Sequence, residues 1–302
     1  MDVYGPSGRS AWLDVDWSAH RRSVVVDGRR VNLVEIGSGA PLLFVHGLGG
    51  SWANWLENVC FFAADRRVVA LDLPGFGASE LPREPISIAG YARMLDALCS
   101  SLGIDAAAVV GNSMGGFVAA ELAITYPQRV ERLALVSAAG LSIERLRLER
   151  LLRRLARIER IVALYGGVVA SQSELLARRA GLRRLALAAI AAHPGRLPAP
   201  LVSEQIAGAG RPGLLPALRA MSAYPLRDRL GEIVCPTLVV WGERDRLVPV
   251  RDASEFERLI AGSRRIVYPD TGHVPMLERP DCFNEDLRAF LLDEEGLPAG
   301  SG

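Results

Sequence analysis

Residues able to do chemistry stand at four places in this chain. Ser113 lies between Gly111 and Gly115 in the pattern G-x-S-x-G. Asp245 closes Gly242-Glu243-Arg244-Asp245, and His273 follows Pro269-Asp270-Thr271-Gly272. His46 opens His46-Gly47-Leu48-Gly49-Gly50. A serine hydroxyl is a poor nucleophile until a base takes its proton, and imidazole titrates near neutral pH. The imidazole in turn needs an acid on its other nitrogen, to hold the tautomer and stabilise the imidazolium. Ser113, His273 and Asp245 are therefore the expected nucleophile, base and acid. A tetrahedral intermediate also needs two backbone donors. The expected pair is the amide after the serine, Met114, and that of Leu48 in the His46-Gly47-Leu48 turn.

These residues need elements that bring them together. Ala106 to Val110 reads as a buried strand running into a tight turn and then a helix, Gly115 to Tyr126. Such a turn strains the serine backbone, leaves no room for side chains at the flanking glycines, and sets the first helical amides beside the hydroxyl. Ser23 to Asp27 and Arg30 to Ile36 alternate about Asp27-Gly28, a hairpin signal. Apolar runs at Pro41–Val45, Arg67–Leu71, Arg132–Val136, Thr237–Trp241 and Arg265–Tyr268 predict further strands. Helices are expected at Trp52–Ala64, Ser87–Leu102, Asp252–Ile260 and Asp281–Leu292. Strand–helix alternation implies a mostly parallel sheet covered on both faces. Ligands bind at the carboxyl ends of such strands, which is where all four features stand.

From Leu141 to about Tyr224 the alternation stops. Ile143, Leu146, Leu151, Leu155, Ile158 and Val162 recur at helical spacing, with further helical stretches at 173–192 and 201–207. The expected division is a first core part at 1–140 with a surface arm at 1–20, an inserted helical cap at 141–225, and a second core part at 226–302.

The motifs, with Asp72-Leu73-Pro74-Gly75-Phe76-Gly77 between the first two, resemble those of α/β-hydrolase fold serine hydrolases over roughly residues 23 to 293. The resemblance implies a mostly parallel eight-stranded sheet with helices on both faces and a cap inserted after the sixth strand. It implies a Ser113–His273–Asp245 triad with Leu48 and Met114 at the oxyanion hole, and neither metal nor cofactor. Haloalkane dehalogenases and soluble epoxide hydrolases usually carry aspartate at the elbow, so the serine argues against them. The activity expected is that of a carboxylesterase or lipase, cleaving esters of small to medium acyl chains. Asn112-Ser113-Met114-Gly115-Gly116, Tyr126-Pro127 and Ala139-Gly140-Leu141 are also similar to meta-cleavage-product hydrolases, which split carbon–carbon bonds in ring-fission dienones. Those enzymes usually have a Gly-Pro-Gly oxyanion loop and a tryptophan after the histidine; this chain has Gly49-Gly50-Ser51 and Val274-Pro275. A non-catalytic binding protein on the same fold is a third reading, and a complete triad argues against it.

Other polar residues compete for these roles. His46 and Asp72 are expected to shape their loops, and Glu243 to scaffold its own. Asp270 lies only three residues before His273 in the same turn, so Asp245, on a different strand end, is preferred as the acid. His20 and His193 sit in unpatterned polar stretches and read as solvated. Leu48, Met114, Leu141, Val248 and Val274 flank the motifs and are the expected pocket walls; all are apolar, which suits a neutral acyl group.

Composition limits the partners. Among 302 residues the net charge is +1, all 35 basic residues are arginine, and no apolar run is long enough to span a membrane. No pull towards nucleic acid is expected. Four scattered cysteines without a C-x-x-C pair, and no signal-like N-terminal run, suggest a cytoplasmic protein. The charge asymmetry sits in residues 141–224, with 14 Arg against 5 Glu and no Asp. That excess is read as the solvated faces of helices, with an anionic substrate as one sharper reading. The other is membrane-surface contact through Arg147, Arg150, Arg154 and Arg157.

Overall fold

A computed structural model describes residues 4–142, 173–207 and 211–293. The stretch carrying Arg147, Arg150, Arg154 and Arg157 and the tail from 294 lie outside the described residues.

Eight strands form one sheet: β1 Arg21–Val26, β2 Arg29–Ile36, β3 Ala40–Val45, β4 Arg66–Leu71, β5 Ala107–Asn112, β6 Val130–Val136, β7 Thr237–Gly242 and β8 Arg264–Tyr268. Their order is β1-β2-β4-β3-β5-β6-β7-β8. The pairs β1·β2 and β2·β4 are antiparallel, and every later pair is parallel. The eight strands stand within two residues of the predicted positions, because alternation about Asp27-Gly28 marks the first two and apolar runs mark the others.

The described helices are α1 Leu56–Phe62, α2 Ile88–Ser101, α3 Met114–Thr125, α4 Ser173–Arg178, α5 Ala180–Leu187, α6 Ala199–Ala207, α7 Leu214–Ser222, α8 Arg251–Leu259, α9 Pro275–Glu278 and α10 Pro280–Leu292. Alternating strand residues feed two cores. Leu43, Val45, Val109, Leu133, Val239 and Trp241 pack with α2, α3 and α8. Leu42, Phe44, Val110, Ala134, Leu238 and Val240 pack on the other face with α1 and α10. Fully burying one such aliphatic side chain contributes about 1.5–3 kcal/mol, so each central strand stabilises both layers.

The helical stretch read over 173–192 contains two helices, α4 and α5, with Arg179 extended between them. Helix α7 lies within the stretch read as helical, and Pro216 stands in its first turn, where no intrahelical donor is lost. The arm is a packed part of the surface. Trp12 is buried and its indole N–H donates to Glu57 Oε1 at 2.9 Å, while Gly5 N donates to the Glu278 carbonyl at 2.7 Å.

Where the chain leaves β6, buried Asp252 of α8 receives Ser142 N at 2.9 Å and Ser142 Oγ at 2.7 Å. The entry to the inserted segment is thus anchored on the core.

Candidate active site

Ser113 stands between β5 and α3 with φ 55° and ψ −115°, a left-handed conformation costly for a residue with a side chain. Its surroundings hold it there. Ser113 N donates to Val136 O at 2.9 Å, and its carbonyl accepts Ala139 N at 3.0 Å and Phe117 N at 3.1 Å. The flanking glycines are needed for close approach. A Cβ on Gly111 would meet Gly116 N at 2.6 Å, and one on Gly115 would meet the His46 carbonyl oxygen at 2.6 Å. Both obstacles are backbone. Gly115→Ala is therefore expected to destabilise the fold by about 1–3 kcal/mol, read as a lower urea midpoint at unchanged slope.

His273 and Asp245 come together from separate strand ends. His273 Nδ1 lies 2.7 Å from Asp245 Oδ2, and the two side chains are 5% and 0% exposed. Asp245 Oδ1 accepts Leu247 N at 2.8 Å and Val248 N at 2.9 Å. The carboxylate is thereby locked by its own loop. A carboxylate at Nδ1 assigns the proton of a neutral imidazole to that nitrogen and leaves Nε2 as the free base. The elbow and the histidine loop are joined directly, because Asn112 Nδ2 donates to Val136 O at 3.1 Å and to His273 O at 3.2 Å.

Asp270 is engaged elsewhere. Its carboxylate lies 2.8 Å from His193 Nε2 and 2.5 Å from Arg244 Nη1, and the His193 contact holds its carboxyl below the usual range. His193, read from sequence as solvated, is instead half-buried in this pair. Glu243 Oε2 accepts Asp270 N at 3.1 Å and braces the same turn, as expected of a scaffold.

The other strand-end turn lies across the elbow. The Leu48 amide has no hydrogen-bond partner among the described residues, and Met114 opens α3, where an amide has no intrahelical acceptor. His46 is fully buried. Its Nε2 accepts Leu73 N at 2.9 Å, so the proton is on Nδ1, which donates to Gly47 O at 2.7 Å. Burial pushes its pKa down and keeps it neutral. Asp72 accepts Trp52 N, Asn32 Nδ2 and Ala78 N, all at 2.8 Å. Both residues therefore shape loops.

One buried acid was missed in the sequence. Glu278, in the short helix α9, is fully buried. Its Oε1 accepts Gly272 N at 2.9 Å and Val274 N at 3.3 Å, from the residues on either side of His273. Its Oε2 accepts Ala192 N at 2.8 Å from the inserted segment and Tyr4 Oη at 2.6 Å from the arm. His273 N donates to Ile190 O at 2.8 Å, so the insertion also grips this loop. The sequence signal was an acid five residues after the histidine in an otherwise apolar turn. Glu278→Gln would set amide hydrogens against these donors. A displacement of about 1 Å costs roughly 10²-fold in rate, and kcat should fall by that order while KM changes little. Steady-state kinetics on the folded variant checks this.

The expected walls divide. Met114, Leu141 and Val248 are buried in the core that holds α3, with Leu48 packed against it. Val274 lies in the core on the opposite face of the sheet. Among the described residues no group of His, Cys, Asp and Glu could hold a metal ion, and no helix is long and apolar enough to cross a membrane.

A family model for the alpha/beta hydrolase fold matches residues 40–280. The chain is 36% identical over 276 residues to the dihydrolipoyllysine-residue acetyltransferase component of the acetoin cleaving system of Cupriavidus necator, covering 88% of this chain and 67% of that protein. It is 31% identical over 283 residues to 2-hydroxy-6-oxo-6-phenylhexa-2,4-dienoate hydrolase of Burkholderia cepacia, covering 87% of this chain and 92% of that one. A solved thermophilic esterase from Thermogutta terrifontis superposes with a TM-score of 0.73 at 25% identity, over 90% of this chain and 97% of its own. The family model spans most of the chain, and the chain belongs to the alpha/beta hydrolase fold family.

Proposed function

We propose that the protein is a serine hydrolase of carboxylic esters with small to medium acyl groups. The observation that supports this best is the buried His273–Asp245 pair, 2.7 Å apart and tied through Asn112 to the strained Ser113. In this reading Ser113 Oγ attacks the ester carbonyl carbon while His273 Nε2 takes its proton. The Leu48 and Met114 amides hold the oxyanion. The carbon–oxygen bond then breaks, and the alcohol leaves with the proton from His273. Water, activated by the same nitrogen, releases the acid. Asp245 holds the tautomer and stabilises the imidazolium. Residues 141–225 act as a cap, and no metal or cofactor takes part.

The test is a series of p-nitrophenyl esters run beside a ring-fission dienone. Burying a methylene contributes about 0.8 kcal/mol, so two should raise kcat/KM by roughly tenfold from acetate to butyrate. A fall is expected for long chains. The Burkholderia cepacia relative favours a second reading, carbon–carbon bond hydrolysis. A dienone kcat/KM far above that of every ester would establish that reading and overturn the first.

A further inference from the structure

Beside the histidine loop lies a second concavity, of about 450 Å³. The end of α5, the turn at 193–196 and the loop after β7 form its walls. Arg184, Arg196, Arg246 and His193 line it together with Ala, Pro and Gly, and among the described residues no carboxylate contributes. Elsewhere arginines hold acids closely: Arg129 with Asp96 at 2.6 Å, Arg229 with Glu121 at 2.7 Å, Arg265 with Glu257 at 2.8 Å. Around this cavity the guanidinium groups meet neutral partners. Arg246 Nη1 donates to Ala188 O at 3.1 Å, and Arg196 stacks over Tyr4 at 5.5 Å. Arg183, behind the same turn, donates to the carbonyls of Ala177 and Gly195. Arg184 lies flat on Gly195; a Cβ there would stand 3.2 Å from its Nε. Two acids adjoin the lining residues and both are engaged: Asp270 faces His193 and Arg244, and Glu278 accepts Ala192 N and Tyr4 Oη.

Three solvent-exposed guanidinium forks round one concavity, paired with no acid among the described residues, leave it with an excess of positive charge. One carboxylate would leave two of them unmatched. A phosphate monoester or diphosphate carries two or more charges and several acceptor oxygens, and bidentate arginine contacts suit that geometry. We infer that this cavity binds the phosphate or diphosphate group of a small molecule, at a site separate from Ser113. The site's walls include Ala192 and the residue after Asp245, so it abuts the segments that hold His273.

The inference does not depend on ester hydrolysis, and calorimetry with sodium pyrophosphate tests it on the full chain without turnover. At constant ionic strength one equivalent is expected to bind with a Kd near 10⁻⁴ M, equivalent to about 5.5 kcal/mol. Arg184→Gln and Arg246→Gln should each weaken binding by about tenfold, and Arg196→Gln similarly, with far-ultraviolet dichroism unchanged. Arg219→Gln, on the exposed face of α7, should leave it unaltered. Inorganic phosphate should bind more weakly, and acetate, with its single carboxylate, should not compete. The inference is overturned if pyrophosphate gives no heat beyond dilution at millimolar concentration. It is also overturned if the cavity variants bind like the unaltered protein, if Arg219→Gln weakens binding as much, or if equimolar acetate displaces pyrophosphate.

Discussion

Replacing Ser113 with alanine is expected to lower ester turnover by about three to six orders of magnitude, leaving the residue of catalysis that binding and backbone donors supply alone. The same variant should lose labelling by an organophosphonate. Its fold should be unharmed or slightly firmer, since the strained φ of 55° at this position is tolerated by alanine no worse than by serine. Loss of rate with retained stability distinguishes removal of the reacting oxygen from collapse of the turn. Ester turnover near that of the unaltered protein would sink the proposed mechanism.

The second large effect is expected at Asp245. In Asp245→Asn, an amide nitrogen must face either His273 Nδ1 or the amides of Leu247 and Val248. Facing the amides sets donor against donor. Facing the imidazole pulls the proton to Nε2, where it cannot accept one from Ser113. Turnover should fall by roughly 10⁴-fold, by analogy with the corresponding change in serine proteases. Asp270→Asn is the control. It loosens the contacts with His193 and Arg244, which lie on the far side of the loop, and should cost less than about tenfold. Reversal of the two effects would show that Asp270 is the acid.

Strand positions were legible because each central strand is a run of apolar, often β-branched residues closed by a polar turn. Ser113, Asp245 and His273 were legible for a related reason: they stand at the first polar turn after such a run. What the sequence concealed was side-chain bonding across long separations. Nothing local marks Asn112 as a tie to the histidine loop or His193 as the partner of Asp270, and the acid in an apolar turn that singles out Glu278 does not show which amides it gathers. The arm was illegible for the same reason, since Tyr4 and Trp12 find their acids at positions 278 and 57.

Glu278 also bears on when the protein becomes competent. Tyr4 and Glu278 are 274 residues apart, and Ala192 and Glu278 are 86 apart. During synthesis Tyr4 leaves the ribosome first and waits for its acceptor, and Ser113 emerges long before the loop that would activate it. At about 5–20 residues per second, Tyr4 precedes Glu278 by roughly 14–55 s. Closing contacts of such separation is slow and comes late in folding. Under the proposed mechanism a nascent chain would carry its serine in a latent form, gaining activity only after the segment around Glu278 has emerged and docked.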